Sequence, residues 1–287
     1  MNVAEYIAKR LAFLGVKQSF SVTGGGAMFL NDAFANCAGI STTYNHHEQA
    51  CAMAAEGYAR VCNKPAVVVV TTGPGGLNTL TGVHGAYTDS IPMLIVSGQV
   101  KTTTTTKFMY PSSNALRQLG DQEAPVDLLV EAIVKDYFFI SDLTTVAAQV
   151  DAAFALATTG RKGPVWLDIP IDVQQKEVEL AIESVSFKPM LATYTKRHRH
   201  EYPQIKKEAL RNKVFEISNH LQNSKRPLFL VGGGLRSAGA ISLFHELLNQ
   251  WPIPTVVAWS AIDAISDSHP CHTGRPSTVG DRCGNFV

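Results

Sequence analysis

The stretch Tyr44-Asn45-His46-His47-Glu48-Gln49-Ala50 lies between a short β-branched run and a run rich in alanine and glycine. Residues 40–43 predict a strand, and residues 50–60 predict a helix whose small side chains let another backbone approach closely. Glu48 therefore occupies the first turn of a tightly packed helix, just past a strand. A helix N-terminus favours a negative charge, so we expect an ionised carboxylate there. An ordinary glutamate at a helix start is the alternative interpretation.

The run Ala66-Val67-Val68-Val69-Val70-Thr71 is apolar on both faces, which is typical of a central strand in a parallel sheet. Gly73-Pro74-Gly75-Gly76 turns this strand toward a helix at 77–89, and residues 93–97 give another buried strand. Strands and helices alternate in this way through residues 1–173. The alternation predicts a doubly wound α/β domain that binds its ligand at the carboxyl ends of the strands. Three candidate site residues lie just past such ends: Glu48, Pro74 and Asn78.

Composition sets limits on the class of protein. The 287 residues are 45% apolar and 17% charged, with a formal net charge of +1, so two globular domains are expected. A charge this close to zero gives no electrostatic reason to bind nucleic acid or an acidic membrane surface. No run approaches the roughly 18 apolar residues of a membrane-spanning helix, and the five cysteines lack metal-ligand spacing. We expect a cytoplasmic protein that binds neither nucleic acid nor membrane and has no metal ligands of its own.

Two further segments of the first domain contain candidate site residues. Gly24-Gly25-Gly26 separates a strand at 19–23 from a helix at 28–36, which permits either a tight connection or a close approach of a ligand to Gly25 and Gly26. Residues 101–110, with five consecutive threonines, have no helical period. They are interpreted either as a flexible surface connection or as a mobile active-site segment.

A linker is predicted at 174–203, where the pattern decays and a short basic run occurs, and a second domain follows at 204–287. In that domain a strand at 227–231 leads through Gly232-Gly233-Gly234 to a helix at 238–250. A strand, a glycine-rich turn and a helix N-terminus can together hold a pyrophosphate. The pattern does not complete a dinucleotide fingerprint, because serine stands at its third glycine position, and a purely structural turn is equally consistent with it.

Together, residues 44–50, 72–78 and 86–95 resemble the pyrimidine-binding N-terminal domain of thiamine-diphosphate enzymes of the acetolactate synthase type. The resemblance extends from residue 4 to residue 287, where the second domain resembles part of the family's central domain. It implies that Glu48 hydrogen-bonds N1′ of the aminopyrimidine ring. That bond favours the imino tautomer, which acts as an internal base toward thiazolium C2.

The resemblance also implies roles for other residues. Gln122 is matched to a glutamine that reaches the active site near a partner subunit. The family's usual Tyr-Pro is Thr23-Gly24 here, and its usual Ala-Phe is Gly120-Asp121. The residues implied to contact thiamine diphosphate are Gly25, Gly26, Pro74 and Asn78. The residues implied to contact FAD in flavin-containing members are Arg161, Gly232, Gly233 and Gly234, although decarboxylase relatives leave that loop nearly empty.

In the family, a third domain with a Gly-Asp-Gly segment holds the diphosphate and its Mg²⁺. Gly280-Asp281-Arg282 lacks the following glycine, so we expect a fragment, a truncated form or one half of a split enzyme, inactive alone. The expected partners are a diphosphate-binding domain in cis or in trans and further copies of the chain, as a homodimer or higher oligomer.

The expected reaction is decarboxylation of a 2-oxo acid such as pyruvate, followed by carboligation to a carbonyl acceptor. Two alternatives remain open: a non-catalytic binding or interaction module of the same fold, and a relative that only decarboxylates a 2-oxo acid.

Overall fold

A computed structural model describes residues 1–109, 116–183 and 206–286 of the chain. The chain divides into two compact units, Met1–Arg199 and His200–Val287. In the described parts of the chain, no helix combines the length and the apolar composition that crossing a membrane requires.

The first unit is built on a sheet of six parallel strands in the order β2-β1-β3-β4-β6-β5. This arrangement confirms the predicted doubly wound α/β fold. The strands are β1 (Gln18–Ser21), β2 (Ser41–Tyr44), β3 (Ala66–Val70), β4 (Met93–Gln99), β5 (Tyr137–Phe139) and β6 (Pro164–Pro170).

Helices connect successive strands and cover both faces of the sheet. The predicted helix at 77–89 is divided into two, because Pro74 starts a helix that ends before Leu80. The helices are α1 (Val3–Phe13), α2 (Met28–Ala35), α3 (Glu48–Cys62), α4 (Pro74–Leu77), α5 (Leu80–Thr88), α6 (Thr106–Met109), α7 (Val126–Val130), α8 (Val146–Thr158) and α9 (Ile171–Gln174).

Alternate residues of the central strands point into two separate cores. In β3, Val67 and Val69 join the core beneath α1, α2 and α8, whereas Val68 and Val70 join the core beneath α3 and α5. All five β3 residues are fully buried, because helices lie on both faces of a parallel sheet. The apolar run in the sequence is thus explained by burial on both sides.

Residues 174–178, from the end of α9 onward, pack on the first unit, although they were predicted to belong to the linker. Gln174 is fully buried, and its Nε2 donates to the backbone oxygen of Gly26 at 2.8 Å. Glu177 pairs with Asn2 in an isolated β-bridge, and Val178 is buried in the first core. The predicted first-domain boundary at 173 therefore falls before residues that contact the first unit. The remainder of the predicted linker, 184–203, lies outside the described residues.

The threonine-rich segment has local structure that its composition did not predict. Thr102–Thr104 form a 3₁₀ turn, and α6 begins at Thr106. The amide and hydroxyl of Thr102 both donate to the Asp172 carboxylate, at 2.9 and 2.6 Å. In its described part, the segment is thus tied to α9 by a charge-assisted pair of hydrogen bonds.

The second unit contains a three-stranded parallel sheet in the order β7-β8-β9. The helix predicted at 238–250 begins only at Ile241, because a four-residue helix and Gly239, with φ of +66°, follow the glycine loop. Two elements within 272–286 were not predicted. The elements are α10 (Lys207–Asn223), β7 (Phe229–Val231), α11 (Gly234–Ser237), α12 (Ile241–Gln250), β8 (Thr255–Val257), β9 (His272–Gly274) and α13 (Arg282–Phe286).

A buried carboxylate joins the carboxyl halves of β4 and β6 to the first residue of β5. Asp168 accepts hydrogen bonds from Ser97 Oγ at 2.6 Å, Tyr137 Oη at 2.8 Å and Gln99 Nε2 at 3.0 Å. Trp166 Nε1 donates to Ser97 Oγ at 2.7 Å. Burial raises the pKa of Asp168 to about 6, although its hydrogen bonds act in the opposite direction. This network fixes the strand ends that support the loop after β4.

We predict that Asp168→Asn destabilises the first unit at neutral pH by roughly 1–3 kcal/mol, because donors from Gln99 and Tyr137 would face the new amide group. The pKa of Asp168 is raised on folding, so the wild type loses stability relative to the variant as pH rises from about 3.8 to about 6. Urea unfolding of both proteins across this range measures the difference. A difference that is constant with pH would show that Asp168 does not titrate in this window.

Candidate active site at the carboxyl edge of the sheet

The strand order places a crevice between β1 and β3. From β1 the chain moves outward to β2, then returns past β1 to β3, so the loops after β1 and β3 diverge to opposite faces of the sheet. Ligands of open α/β sheets bind at such a switch point, outside the carboxyl ends of the strands. The loop after β1 contains Gly24-Gly25-Gly26, and the loop after β3 contains Thr71 to Asn78.

Glu48 is the first residue of α3, just past β2. His47 caps the helix in an extended conformation, and its Nδ1 accepts a hydrogen bond from Gln49 N at 3.1 Å. The Glu48 side chain is half-buried. Asn78 Nδ2 donates to Glu48 Oε2 at 2.9 Å. The structure therefore joins two candidate residues that are 30 positions apart in the sequence.

The loop after β3 brings Asn78 to this position. Gly73 has φ of +58°, a conformation that favours glycine, and Pro74 then starts α4 with its fixed φ. Asn78 caps the end of α4, where its backbone N–H donates to Pro74 O at 2.9 Å. One tight turn thus reverses the chain and presents the Asn78 side chain to α3.

Glycines in both loops lie where a side chain would collide with the end of β3. A Cβ on Gly24 would lie 2.5 Å from Thr71 Cβ, and one on Gly26 would overlap Thr72 Oγ1. A Cβ on Gly75 would lie 2.6 Å from Thr71 Cγ2 and 3.3 Å from Glu48 Oε1. Backbone therefore packs closely on Thr71 and Thr72, and at Gly75 it also lies beside the Glu48 carboxylate.

Two threonines that are not among the predicted site residues belong to this site. Thr71 Oγ1 accepts a hydrogen bond from Gly26 N at 3.0 Å and joins the two loops. Thr72 is buried, and its Oγ1 has no hydrogen-bond partner among the described residues. Their signal in the sequence is a pair of β-branched hydroxyl residues between an apolar strand and Gly-Pro-Gly.

Gln122 approaches the same loop through its backbone. It has φ of +60°, its side chain is exposed, and its carbonyl oxygen occupies the space where Gly73 would carry a Cβ. The structure thus brings together six of the candidate residues: Glu48, Pro74, Asn78, Gln122, Gly25 and Gly26.

Arg161 lies away from this group. It precedes β6, at the amino edge of the sheet, and its Nε donates to Ser90 Oγ at 2.6 Å. In the second unit, Gly233 N donates to Ser260 Oγ at 3.1 Å. A Cβ on Gly232 or on Gly234 would meet no atom within 4 Å, so the loop is open at these two positions.

Two models of one enzyme family match the chain. The thiamine pyrophosphate enzyme N-terminal TPP-binding domain matches residues 1–125, and the central domain of the same enzymes matches residues 214–287. The chain belongs to the thiamine pyrophosphate enzyme family. Its first unit is therefore the TPP-binding N-terminal domain, which confirms the resemblance seen in the sequence.

Whole-chain relatives are large subunits of acetolactate synthase. The large subunit from Lactococcus lactis is 32% identical over 285 residues, covering 99% of this chain and 45% of the relative. The probable large subunit from Methanocaldococcus jannaschii is 32% identical over 287 residues, covering 100% of this chain and 45% of the relative. The isozyme 2 large subunit of acetolactate synthase from Escherichia coli is 30% identical over 287 residues, covering 100% of this chain and 47% of the relative. The chain thus spans about half the length of these relatives.

Within the described residues, no three histidine, cysteine, aspartate or glutamate side chains come together as metal ligands.

We predict that Gly26→Ala destabilises the first unit by roughly 1–3 kcal/mol, because its Cβ would overlap Thr72 Oγ1 and lie 3.0 Å from Thr71 Oγ1. Gly25→Ala is the matched control, since a Cβ there meets no atom within 4 Å and the change should fall within about 0.5 kcal/mol. Urea unfolding of both variants measures the difference. Equal stability of the two would contradict the close packing described at Gly26.

Proposed function

We propose that the first unit binds the aminopyrimidine ring of thiamine diphosphate at the carboxyl edge of its sheet, with Glu48 as the acid-base residue. The observation that carries this proposal is the half-buried Glu48 carboxylate, oriented by Asn78 at the β1–β3 switch point. Membership in the thiamine pyrophosphate enzyme family supports the choice of ligand.

The residues of the site suit such a ring chemically. An aminopyrimidine offers ring nitrogens and an amino group on a flat apolar body. The site offers a carboxylate, a buried Thr72 hydroxyl that has no hydrogen-bond partner among the described residues, and a glycine, Gly75, that leaves space beside Glu48. When bound, thiamine diphosphate supplies the carbanion chemistry of 2-oxo acid decarboxylation.

The protein's part in this reaction is to orient the ring and control one proton. Asn78 donates to Oε2 of Glu48 and so fixes the rotation of the carboxylate. Glu48 would accept a charge-assisted hydrogen bond from N1′ and hold the proton at that atom. The α3 N-terminus favours the negative charge on this carboxylate. Gly25, Gly26 and Pro74 would form the backbone wall against which the ring rests.

For the whole protein, we propose decarboxylation of a 2-oxo acid such as pyruvate and its carboligation to a carbonyl acceptor. The support is the set of relatives named as acetolactate synthase large subunits, each covered over about 45% of its length. We further propose that the diphosphate and Mg²⁺ are held by a domain outside these 287 residues, in cis or in trans. A cytoplasmic location is also proposed, supported by five free cysteines, which persist in a reducing compartment.

FAD is proposed as a second cofactor of the whole protein, at the open glycine loop of the second unit. The loop follows β7 at the carboxyl edge of a parallel sheet, where Gly232 and Gly234 leave space for a ligand. Arg161 is proposed as a further FAD contact on the family resemblance. A turn that only stabilises the second unit is the competing interpretation, and the Ser260 contact of Gly233 is consistent with it.

We predict that the isolated chain binds neither cofactor tightly, because most of the binding energy of thiamine diphosphate lies in its charged diphosphate and metal. Calorimetry with thiamine diphosphate and Mg²⁺, and separately with FAD, should show no affinity tighter than about millimolar, or about 4 kcal/mol. Micromolar affinity for thiamine diphosphate would show that the diphosphate is held within these residues. Micromolar affinity for FAD would show that the loop suffices for the flavin.

We predict that the chain forms a dimer through the outer face of α3. Met53, Gly57 and Val61 expose an apolar stripe on the helix that begins with Glu48, and Val61 is 77% exposed. Two-fold pairing is the commonest arrangement of identical subunits. Light scattering at micromolar concentration should report a dimer for the wild type and a monomer for Val61→Glu. The matched control is Val279→Glu, at a valine 72% exposed in the second unit, which should stay dimeric. A monomeric wild type, or a dimeric Val61→Glu, would exclude this interface.

We predict that Glu48→Gln lowers turnover by roughly 10²-fold or more in an enzyme assembled from this chain and a diphosphate-binding domain. The amide cannot hold the proton at N1′ as a carboxylate does. Asn78→Ala keeps the carboxylate and should cost about 10-fold. The control is Glu208→Gln, a first-turn glutamate of α10, which should leave turnover unchanged.

Turnover is measured at saturating thiamine diphosphate, with melting temperatures recorded alongside. Wild-type turnover in Glu48→Gln would remove Glu48 from the mechanism and leave it as an ordinary helix-start glutamate. A large loss in Glu208→Gln would show that the assay reports assembly rather than chemistry.

A further inference from the structure

Glu123 stands next to Gln122 and ties two separate segments of the first unit together. Its Oε1 accepts from both the amide and the hydroxyl of Thr106, each at 2.7 Å. Its Oε2 accepts from the amides of Leu119 and Gly120, at 2.9 and 3.2 Å. One carboxylate thus collects four donors, two from the start of α6 and two from the loop that leads into Gln122.

These four bonds favour the ionised form of the Glu123 carboxylate. Burial alone would raise the pKa of Glu123, but the hydrogen bonds from Thr106, Leu119 and Gly120 outweigh burial and hold the pKa below its usual value. Bonds to a charged acceptor are about twice as strong as bonds between neutral groups. A glutamine at this position would have only one acceptor oxygen and would present an amide donor to two of the four N–H and O–H groups.

The loop held by Glu123 lies against the backbone of Thr104 and against the backbone of Gly73. A Cβ on Gly120 would lie 2.8 Å from Thr104 O. Gln122, in a left-handed conformation at φ +60°, presses its carbonyl oxygen onto Gly73. Gly73 begins the turn that carries Asn78, the donor to Glu48. The position of Gln122 is therefore linked, through backbone contacts, to the turn that orients Glu48.

The sequence departs from the family at this loop, where Gly120-Asp121 stands in place of Ala-Phe. Asp121 is exposed, so the side chain at that place is not packed into the first unit. The described contacts that hold this loop include the Glu123 carboxylate and the close approach of Gly120 to Val100 and Thr104.

We propose that Glu123 is the positioning residue for Gln122, because its carboxylate holds the 119–122 loop against α6 and against the Gly73 turn. The proposal rests on the proposed function and on the role that the family resemblance implies for Gln122, a glutamine that reaches the active site. Glu123 itself needs no contact with either.

The first test is amide hydrogen exchange on the 287-residue chain. Glu123→Gln should raise the exchange rates of Leu119 and Gly120 by about 10-fold or more, while the amides of β3 and β4 keep wild-type rates. Asp121→Asn, a charge removal two residues away in the same loop, should change neither set. Exchange of Leu119 and Gly120 within twofold of the wild type in Glu123→Gln would overturn the proposal.

A milder variant covers the case in which Glu123→Gln does not fold. Thr106→Ala removes one of the four donors and keeps the Thr106 amide bond, so Leu119 and Gly120 should exchange about threefold faster. Unchanged exchange of Leu119 and Gly120 in this variant would likewise count against the proposal that one carboxylate, Glu123, joins the start of α6 to the 119–122 loop.

The second test asks whether Glu123 acts through Gln122. In the enzyme assembled with a diphosphate-binding domain, Gln122→Ala and Glu123→Gln should each lower kcat/KM by about 10-fold. The double variant should be no more than about twofold worse than Gln122→Ala. Effects that multiply would mean that Glu123 acts independently of Gln122. If the wild type has no thiamine-dependent turnover, the proposed function fails, and the exchange experiment still decides whether Glu123 holds the loop.

Discussion

Parallel strand pairing is the constraint on which the rest of the first unit depends. Because all six strands run in one direction, every loop that follows a strand reaches the same edge of the sheet. The return of the chain from β2 past β1 to β3 opens a crevice at that edge. Glu48 and Asn78 meet there because one follows β2 and the other follows β3, and this topology brings them within hydrogen-bond distance.

Buried polar groups then determine how the loops lie on this edge. Glycines at 24, 26 and 75 allow the backbone to approach Thr71 and Thr72 where any side chain would collide. Three carboxylates connect the surrounding segments: Asp168 joins β4, β5 and β6, Asp172 holds the threonine segment, and Glu123 holds the loop of Gln122. Each of these carboxylates accepts at least two hydrogen bonds, which offset the cost of removing it from water.

The sequence predicted those features that a single local pattern determines, such as a run of buried apolar residues or a strand followed by a helix. Apolar runs predicted the central strands, and the position of Glu48 between a strand and a helix predicted its place at the carboxyl edge. The hydrogen bond from Asn78 to Glu48 and the bond from Thr106 to Glu123 could not be predicted. Each joins residues that are distant in sequence, and no periodic pattern marks such side chains. The start of α12 was misplaced because Gly239 interrupts a run that otherwise reads as one helix. The position of Arg161 follows from chain order, since a loop that precedes a parallel strand lies at the amino edge.

The central claim is that an aminopyrimidine binds beside Glu48. Its most direct test is a titration of the isotope-labelled chain with thiamine, which lacks the diphosphate, followed by backbone amide resonances in the NMR spectrum. The structure predicts weak, saturable shifts confined to Glu48, Asn78, Gly75 and the Gly24–Gly26 loop, and their loss in Glu48→Gln. Shifts centred on the amino edge near Arg161, or shifts of equal size in Glu48→Gln, would contradict this assignment.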